Sequence, residues 1–315
     1  MLSTAPPVLF LMGPTASGKT ACAIDLAQRL NLEIVSVDSA MVYRGLNIGS
    51  GKPDSETLRR APHRLIDIRA PDDPYSAASF RLDAMAAIEE IHASGRIPLL
   101  VGGTSLYFRA LRDGLSPLPS ADVSIRRRLE NEIREVGLDA LHRRLAELDP
   151  IAAARIHRTD PQRIQRALEV IEITESTLTQ LHSRDAGEPC PYPVHTFSLE
   201  PNDRAWLHLR IEQRFTSMLA AGFEDEVRKL RSQHRLHAEL PAVRAVGYRQ
   251  MHEHLDGQSD YSTMVQRAVV ATRQLARRQL TWLRREAVRA RITADCDDVC
   301  AQLYSAVCRS LNSAA

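Results

Sequence analysis

The segment Gly13-Pro14-Thr15-Ala16-Ser17-Gly18-Lys19-Thr20 constrains this chain more than any other. It has the spacing G-x-x-x-x-G-K-[ST] of a phosphate-binding loop. An apolar run, Val8-Leu9-Phe10-Leu11-Met12, precedes it and reads as a buried parallel strand. A helical pattern follows, with Ala21, Ile24, Leu26, Ala27 and Leu30 apolar. Strand, loop and helix together give the motif its meaning. The glycines let the backbone wrap an anion so that consecutive N–H groups point inward, and the helix adds its positive end. Lys19 supplies a point charge, and the Thr20 hydroxyl is placed for Mg²⁺. The motif specifies a polyphosphate. It does not choose ATP over another diphosphate, nor does it name a reaction.

The first hundred residues alternate strand and helix. Glu33-Ile34-Val35-Ser36-Val37 reads as a second strand ending at Asp38, residues 63–68 (HRLIDI) as a third and 97–101 (IPLLV) as a fourth. Residues 76–94 between them read as a helix capped by Ser76. Such alternation predicts an α/β fold, a P-loop NTPase-like parallel sheet with helices on both faces. Residues 114–122 (GLSPLPSAD) break the pattern, and from Val123 to about Arg184 only helical periodicity remains. Asp149-Pro150 and Asp160-Pro161 mark helix starts there, with Asp as cap and Pro as first helical residue. Residues 187–193 (GEPCPYP) lead back to a fifth strand at 194–199, and helices are expected from there to the end. The prediction is an α/β core over 1–118 and 192–315 with an inserted all-helical domain at 119–191.

Composition bounds the partners. The 315 residues carry a net charge of only +2, so a nucleic-acid surface must come from local clustering. Arg outnumbers Lys, which suits bidentate phosphate contacts but equally reflects a GC-rich genome. No apolar run is long enough to span a membrane, and since residues 1–7 lack a basic region followed by a long apolar core, no secretory signal is expected there. The five cysteines form no C-x-x-C pair, so reduced thiols and a cytoplasmic location are expected. His252 and His254 receive no role.

Ligands of open α/β sheets bind at the carboxyl ends of the strands. Three such ends carry polar groups: the loop, Asp38-Ser39, and Gly102-Gly103-Thr104. A nucleotide hydrolase usually ends a strand with an acid that holds Mg²⁺ and orients water, but the fourth strand ends in Gly-Gly-Thr. No guanine-reading N-K-x-D occurs. A carboxylate facing a bound polyphosphate suits a reaction in which diphosphate leaves and Asp38 takes a proton from the attacking group. A Mg²⁺-supporting carboxylate is the other reading of Asp38. The usual sheet order would set its strand beside the loop's strand. A second signal is Arg267 to Arg291, with eight arginines and the single acid Glu286. Val265, Val269, Ala276, Leu280 and Leu283 share one helical face, leaving arginines to track a phosphate backbone or to form a solvated face.

Together with the loop, several stretches resemble the tRNA dimethylallyltransferase (tRNA isopentenyltransferase) family: 38–53 (DSAMVYRGLNIGSGKP), 63–68, 95–111 (GRIPLLVGGTSLYFRAL), 160–170 (DPQRIQRALEV), 244–251 (RAVGYRQM) and 271–285 (ATRQLARRQLTWLRR). The likeness covers roughly residues 8 to 285, with the motifs in order. Ser50-Gly51 stands where Thr-Ala is common, a mild departure. The resemblance implies transfer of the dimethylallyl group of dimethylallyl diphosphate to N6 of the adenosine 3′-adjacent to the anticodon (tRNA position 37), with Mg²⁺ and release of diphosphate. It implies that Gly13, Pro14, Thr15, Ala16, Ser17, Gly18, Lys19 and Thr20 hold the donor diphosphate, with Thr20 at Mg²⁺. Asp38 would be the base on the adenine amine, and Thr104 would contact the oxygen bridging to the leaving group. Positions matching tRNA contacts are Asp38, Ser39, Ala40, Met41, Thr104, Arg126, Gln162, Arg163, Ile164, Gln165, Arg166, Arg244, Ala245, Val246, Gly247, Tyr248, Arg249, Arg277, Arg278, Gln279, Leu280, Thr281, Trp282, Leu283 and Arg284. The inserted helices would grip the anticodon stem-loop of a tRNA bound by a monomer.

Three other functions would carry such a loop. An ATP-dependent small-molecule kinase would not need the basic C-terminal helix, and a prenyltransferase of free adenine nucleotides would not need the inserted helices. An RNA-binding protein with a vestigial loop would not keep Gly18-Lys19-Thr20 intact.

Overall fold

A computed structural model describes residues 5–184 and 187–312. Residues 1–4, 185–186 and 313–315 lie outside the described ones, and with them the first part of the segment read above for a secretory signal. The core opens with β1 (Val8–Met12), α1 (Lys19–Arg29), β2 (Leu32–Val37), α2 (Ser55–Arg60), β3 (His63–Arg64), α3 (Ala77–Ala93), β4 (Ile97–Gly102) and α4 (Ser105–Asp113). Five helices follow: α5 (Val123–Val136), α6 (Leu138–Leu148), α7 (Pro150–Arg155), α8 (Pro161–Thr174) and α9 (Leu178–Arg184). The core resumes with β5 (Val194–Glu200), α10 (Arg204–Ala220), α11 (Phe223–Gln233), α12 (Pro241–Arg244), α13 (Tyr248–Leu255), α14 (Tyr261–Leu283), β6 (Ala290–Thr293) and α15 (Val299–Asn312).

All six strands are parallel, in the order β3-β2-β4-β1-β5-β6. Strand β1 is buried on both faces, which is why it reads as an unbroken apolar run. Val8, Phe10 and Met12 join one core cluster with Phe80, Phe108 and Leu283, while Leu9 and Leu11 join another with Leu26, Phe197 and Leu303. Each such fully buried side chain stabilises the fold by roughly 1.5–3 kcal/mol. The alternation of one strand thus supplies two helix-covered faces.

Four expectations are corrected. Strand β4 lies between β2 and β1, so the strand carrying Asp38 is one place removed from the loop's strand. The third strand stops after two residues, because Leu65 and Asp67 adopt φ of 62° and 58°, where a strand cannot continue. The segment after the fifth strand is not all helix: β6 adds an edge strand beside β5, and α15 then packs on the α1 side of the sheet. The cysteines are not all free thiols, since Cys22 of α1 is disulfide-bonded to Cys300 of α15.

The described chain parts into two compact units, one within 1–112 and 190–315, the other 113–189. The expected limits at 119 and 191 move because α4 runs through Asp113 and the backbone closes between Gly114 and Gly187. A β-carbon on Gly114 would meet the Glu188 carbonyl oxygen at 2.7 Å, so only glycine fits. The helical unit has its own core of Leu129, Leu141, Leu145, Ile164, Leu168 and Val170. Its starts follow the sequence: Asp149 caps the Ala152 amide at 3.0 Å and Asp160 caps the Arg163 amide at 3.1 Å, each with proline next.

Candidate active site

The phosphate loop leaves β1 after Met12 and enters α1 at Lys19. Gly18 adopts φ 91° at the helix start, and no side chain caps that start. The helix therefore offers its N–H groups to an anion. Ala16 also has positive φ, 64°, a tight turn for a residue with a side chain. A β-carbon on Gly13 would lie 2.7 Å from the Leu199 carbonyl oxygen and 2.9 Å from Ser17 Oγ. That close approach is what the first glycine permits. Ser17 is 2 % exposed, and its hydroxyl has no hydrogen-bond partner among the described residues. A buried orphan hydroxyl inside an amide-lined turn fits a bound phosphate oxygen.

Around the loop lies a cavity of about 290 Å³. Lys19, Thr20, Asp38, Arg210, Arg214 and Gln279 contribute its polar wall. Lys19 Nζ donates to the Pro14 carbonyl at 2.6 Å. Burial, followed by the nearby Arg214 guanidinium, lowers its pKa to about 7, against the opposing pull of Asp38. Desolvation also holds the Arg214 pKa below its ordinary value, with Asp38 again pulling the other way. Three cationic groups in a poorly hydrated space with one carboxylate make a site that lacks negative charge.

Asp38 begins the turn after β2. Its Oδ1 accepts the Ala40 amide at 2.8 Å and the Met41 amide at 3.1 Å, which fixes the carboxylate in the cavity wall and leaves Oδ2 unengaged among the described residues. It is the one carboxylate among the described residues lining the cavity. Registers Val37↔Gly102 and Met12↔Gly102 bring the ends of β2, β4 and β1 level. Asp38, Gly103-Thr104 and the loop thereby leave the sheet together. Thr104 is half-buried, and its carbonyl starts α4 by accepting from Tyr107 and Phe108.

Mg²⁺ is a hard cation that commonly keeps water and substrate oxygens and needs only one or two protein ligands. The described residues hold no cluster of three or more His, Cys, Asp or Glu side chains fit for a metal. Thr20 and Asp38, both at the cavity, match that sparse requirement.

Arg210 and Arg214 were missing from the sequence-based assignment. They sit one turn apart on α10, 172 or more positions beyond Asp38 in a stretch that carries no motif. Arg210 stacks over Trp206 at 4.8 Å and donates to the Ala16 carbonyl at 2.9 Å; Arg214 donates to the Ser50 carbonyl at 3.2 Å. The i, i+4 spacing of two arginines was the available signal.

The positions matched to tRNA contacts separate by exposure. Arg244, Arg249, Arg277, Arg278, Thr281 and Arg284 are exposed in the α/β unit, as are Gln162 and Arg163 in the helical unit. Ser39 is exposed, while Ala40, Met41, Ala245, Val246, Leu280 and Trp282 are half-buried. Ile164 and Leu283 are fully buried, and Gly247 and Tyr248 are buried. These four support a surface instead of forming it. Tyr248 spends its hydroxyl on Glu226 at 2.7 Å. Arg126 and Arg166 turn inward onto Glu169, which has no exposure, at 2.8 and 2.6 Å. Burial pushes the Glu169 pKa up, but the bonds from Arg126, Arg166 and the Asp122 amide outweigh it and hold the carboxylate ionised. Gln165 donates to the Arg126 carbonyl at 3.0 Å. The basic helix ends at Leu283, short of the expected 291: Arg291 lies on β6 and pairs with Glu200.

A parallel sheet with a phosphate loop, flanked by strand ends that present an aspartate and a threonine, defines a P-loop-type group-transfer enzyme. The IPP transferase family model matches residues 41–286, so the chain belongs to the IPP transferase family and is a prenyltransferase. It is 35% identical to the full-length tRNA isopentenylpyrophosphate transferase of Bacillus halodurans, covering 99% of this chain and 98% of that one, with a TM-score of 0.70. It is 28% identical to the tRNA delta(2)-isopentenylpyrophosphate transferase of Staphylococcus epidermidis over 98% and 100% of the two chains, TM-score 0.68. A eukaryotic dimethylallyltransferase solved acting on tRNA shares the fold, with 24% identity over 98% and 80% and a TM-score of 0.78.

Proposed function

We propose that this enzyme transfers the dimethylallyl group of dimethylallyl diphosphate to N6 of the adenosine 3′-adjacent to the anticodon, tRNA position 37, and releases diphosphate. The observation that carries the reading is the single carboxylate, Asp38, facing a cavity whose other charges are Lys19, Arg210 and Arg214. A diphosphate supplies the missing negative charge, and a base beside it has a proton to collect.

The adenine amine is a weak nucleophile because its lone pair is delocalised into the ring. Asp38 is positioned to accept the N6 proton as the N6–C1 bond forms. The C1–O bond breaks at the same carbon, and its electron pair departs on the diphosphate. Lys19, Arg210, Arg214 and the loop amides stabilise that charge. Thr20 is the residue that would hold Mg²⁺, whose charge would further stabilise the leaving group. A base in a tRNA must leave its stack to reach such a cavity. The exposed Arg277 and Arg278 on α14, Arg284 just past its end, and Arg244 and Arg249 earlier in the chain are the phosphate contacts this reading uses, and Gln162 and Arg163 offer a polar surface on the helical unit. No helix among the described residues is long and apolar enough to cross a membrane. The reading includes a monomeric, cytoplasmic enzyme.

The test is incubation with labelled dimethylallyl diphosphate, Mg²⁺ and bulk tRNA. Label should appear on N6-modified adenosine after nuclease digestion. Label on free adenine nucleotides with none on RNA would overturn the substrate assignment.

A further inference from the structure

Gln279 lies on α14, on the helix assigned to RNA, yet its side-chain amide points into the donor cavity. The Thr15 N–H donates to Gln279 Oε1 at 2.8 Å, and Gln279 Nε2 donates to the Gly103 carbonyl at 3.0 Å. One amide thus joins the phosphate loop after β1 to the turn after β4 that carries Thr104. Glutamine suits the place because its tip holds one acceptor and one donor on a rigid plane. Gly103 is the matching half: a β-carbon there would overlap Gln279 Nε2. The two turns leave neighbouring strands with no backbone hydrogen bond between them among the described residues.

We infer that Gln279 is a positioning residue for prenyl transfer, fixing the Gly103-Thr104 turn at one distance from the phosphate loop. The inference rests on the proposed binding of the donor diphosphate at that loop. The Thr15 amide is already spent on Gln279, so the diphosphate is held by the loop amides beyond it. Thr104 is then kept in step with the oxygen that leaves. Misplacement of a reacting group by about 1 Å can cost about a hundredfold in rate. The ordinary alternative is that two hydrogen bonds merely anchor α14, in which case stability changes and chemistry does not.

The experiment compares Gln279→Ala and Gln279→Glu with the wild type in the full chain, with dimethylallyl diphosphate and tRNA, from about pH 5.5 to 8.5. Thermal melts confirm that each variant is folded, and Gln279→Glu, being nearly isosteric, serves if Gln279→Ala does not fold. The expected result is a kcat at least about tenfold lower at neutral pH, with tRNA affinity within about twofold. An ionised carboxylate at this position accepts from Thr15 but repels the Gly103 carbonyl, whereas the protonated acid restores both bonds. The Gln279→Glu rate relative to wild type should therefore rise as pH falls toward the carboxylate range, while the Gln279→Ala ratio stays flat. A near-wild-type kcat in a folded variant, or a flat Gln279→Glu ratio, overturns the positioning role. A Lys19→Ala control separates the two claims. If it is inactive and the Gln279 variants are normal, only the positioning role falls. If it turns over normally, the loop is not the donor site and both fall.

Discussion

Gly102 packs so tightly on Val37 that a β-carbon on it would overlap the Val37 carbonyl oxygen. The two residues are register partners on β4 and β2, and Met12 of β1 pairs with Gly102 from the other side. Everything that follows these three residues in sequence therefore emerges at one height. The proposed base, the threonine turn and the phosphate loop owe their proximity to that register.

Asp38→Asn keeps the shape of the side chain and an acceptor for the Ala40 and Met41 amides, but cannot take a proton. Donor affinity should stay near normal while single-turnover transfer falls by at least about a hundredfold. Rescue by raised Mg²⁺, or transfer close to wild type, would return Asp38 to a metal-supporting role.

Burial, more than any neighbouring charge, lowers the Lys19 pKa to about 7. A bound diphosphate favours the charged ammonium and raises that pKa. Binding should then take up a proton above about pH 7, and donor affinity should weaken with rising pH by up to roughly tenfold per unit. Calorimetry in buffers of different ionisation enthalpy measures the uptake. No proton uptake at pH 8 would contradict the account.

Lys19→Ala removes the cation from the loop while leaving its glycines. The fold should persist, and kcat should drop by about two to three orders of magnitude. The check is steady-state kinetics on a variant whose melting curve matches the wild type.

Arg277 is exposed on α14 and makes no ion pair among the described residues. If it meets tRNA phosphates, Arg277→Ala should lower the slope of log affinity against log salt by about one unit and leave donor affinity unchanged. An unaltered slope would make that face of α14 merely solvated.

Arg166 is committed to Glu169 and to the Pro119 carbonyl at 2.6 Å each. Arg166→Ala leaves the fully buried carboxylate with Arg126 and the Asp122 amide alone. Stability of the helical unit should fall by about 1–3 kcal/mol in denaturant titrations. A loss of tRNA affinity with no loss of stability would show instead that Arg166 reaches the RNA.

The sequence by itself determined the phosphate loop, the parallel sheet and the helical insertion. These rest on local signals: glycine spacing, apolar runs buried on two faces, and Asp-Pro helix starts. The sequence also placed Asp38 and Thr104 at strand ends, because a strand's end is visible where its apolar run stops. Tertiary structure alone decided what joins them. Insertion of β4 between β1 and β2 follows from long-range strand pairing, which no local pattern encodes. Arg210 and Arg214 enter the cavity only because α10 lies across it, and Gln279 turns from the arginine-rich α14 to the loop because that helix is docked with that side inward. Exposure was equally hidden: the arginine pattern of α5 and α8 does not reveal that Arg126 and Arg166 serve Glu169, since a buried carboxylate recruits whichever cations the fold brings near it.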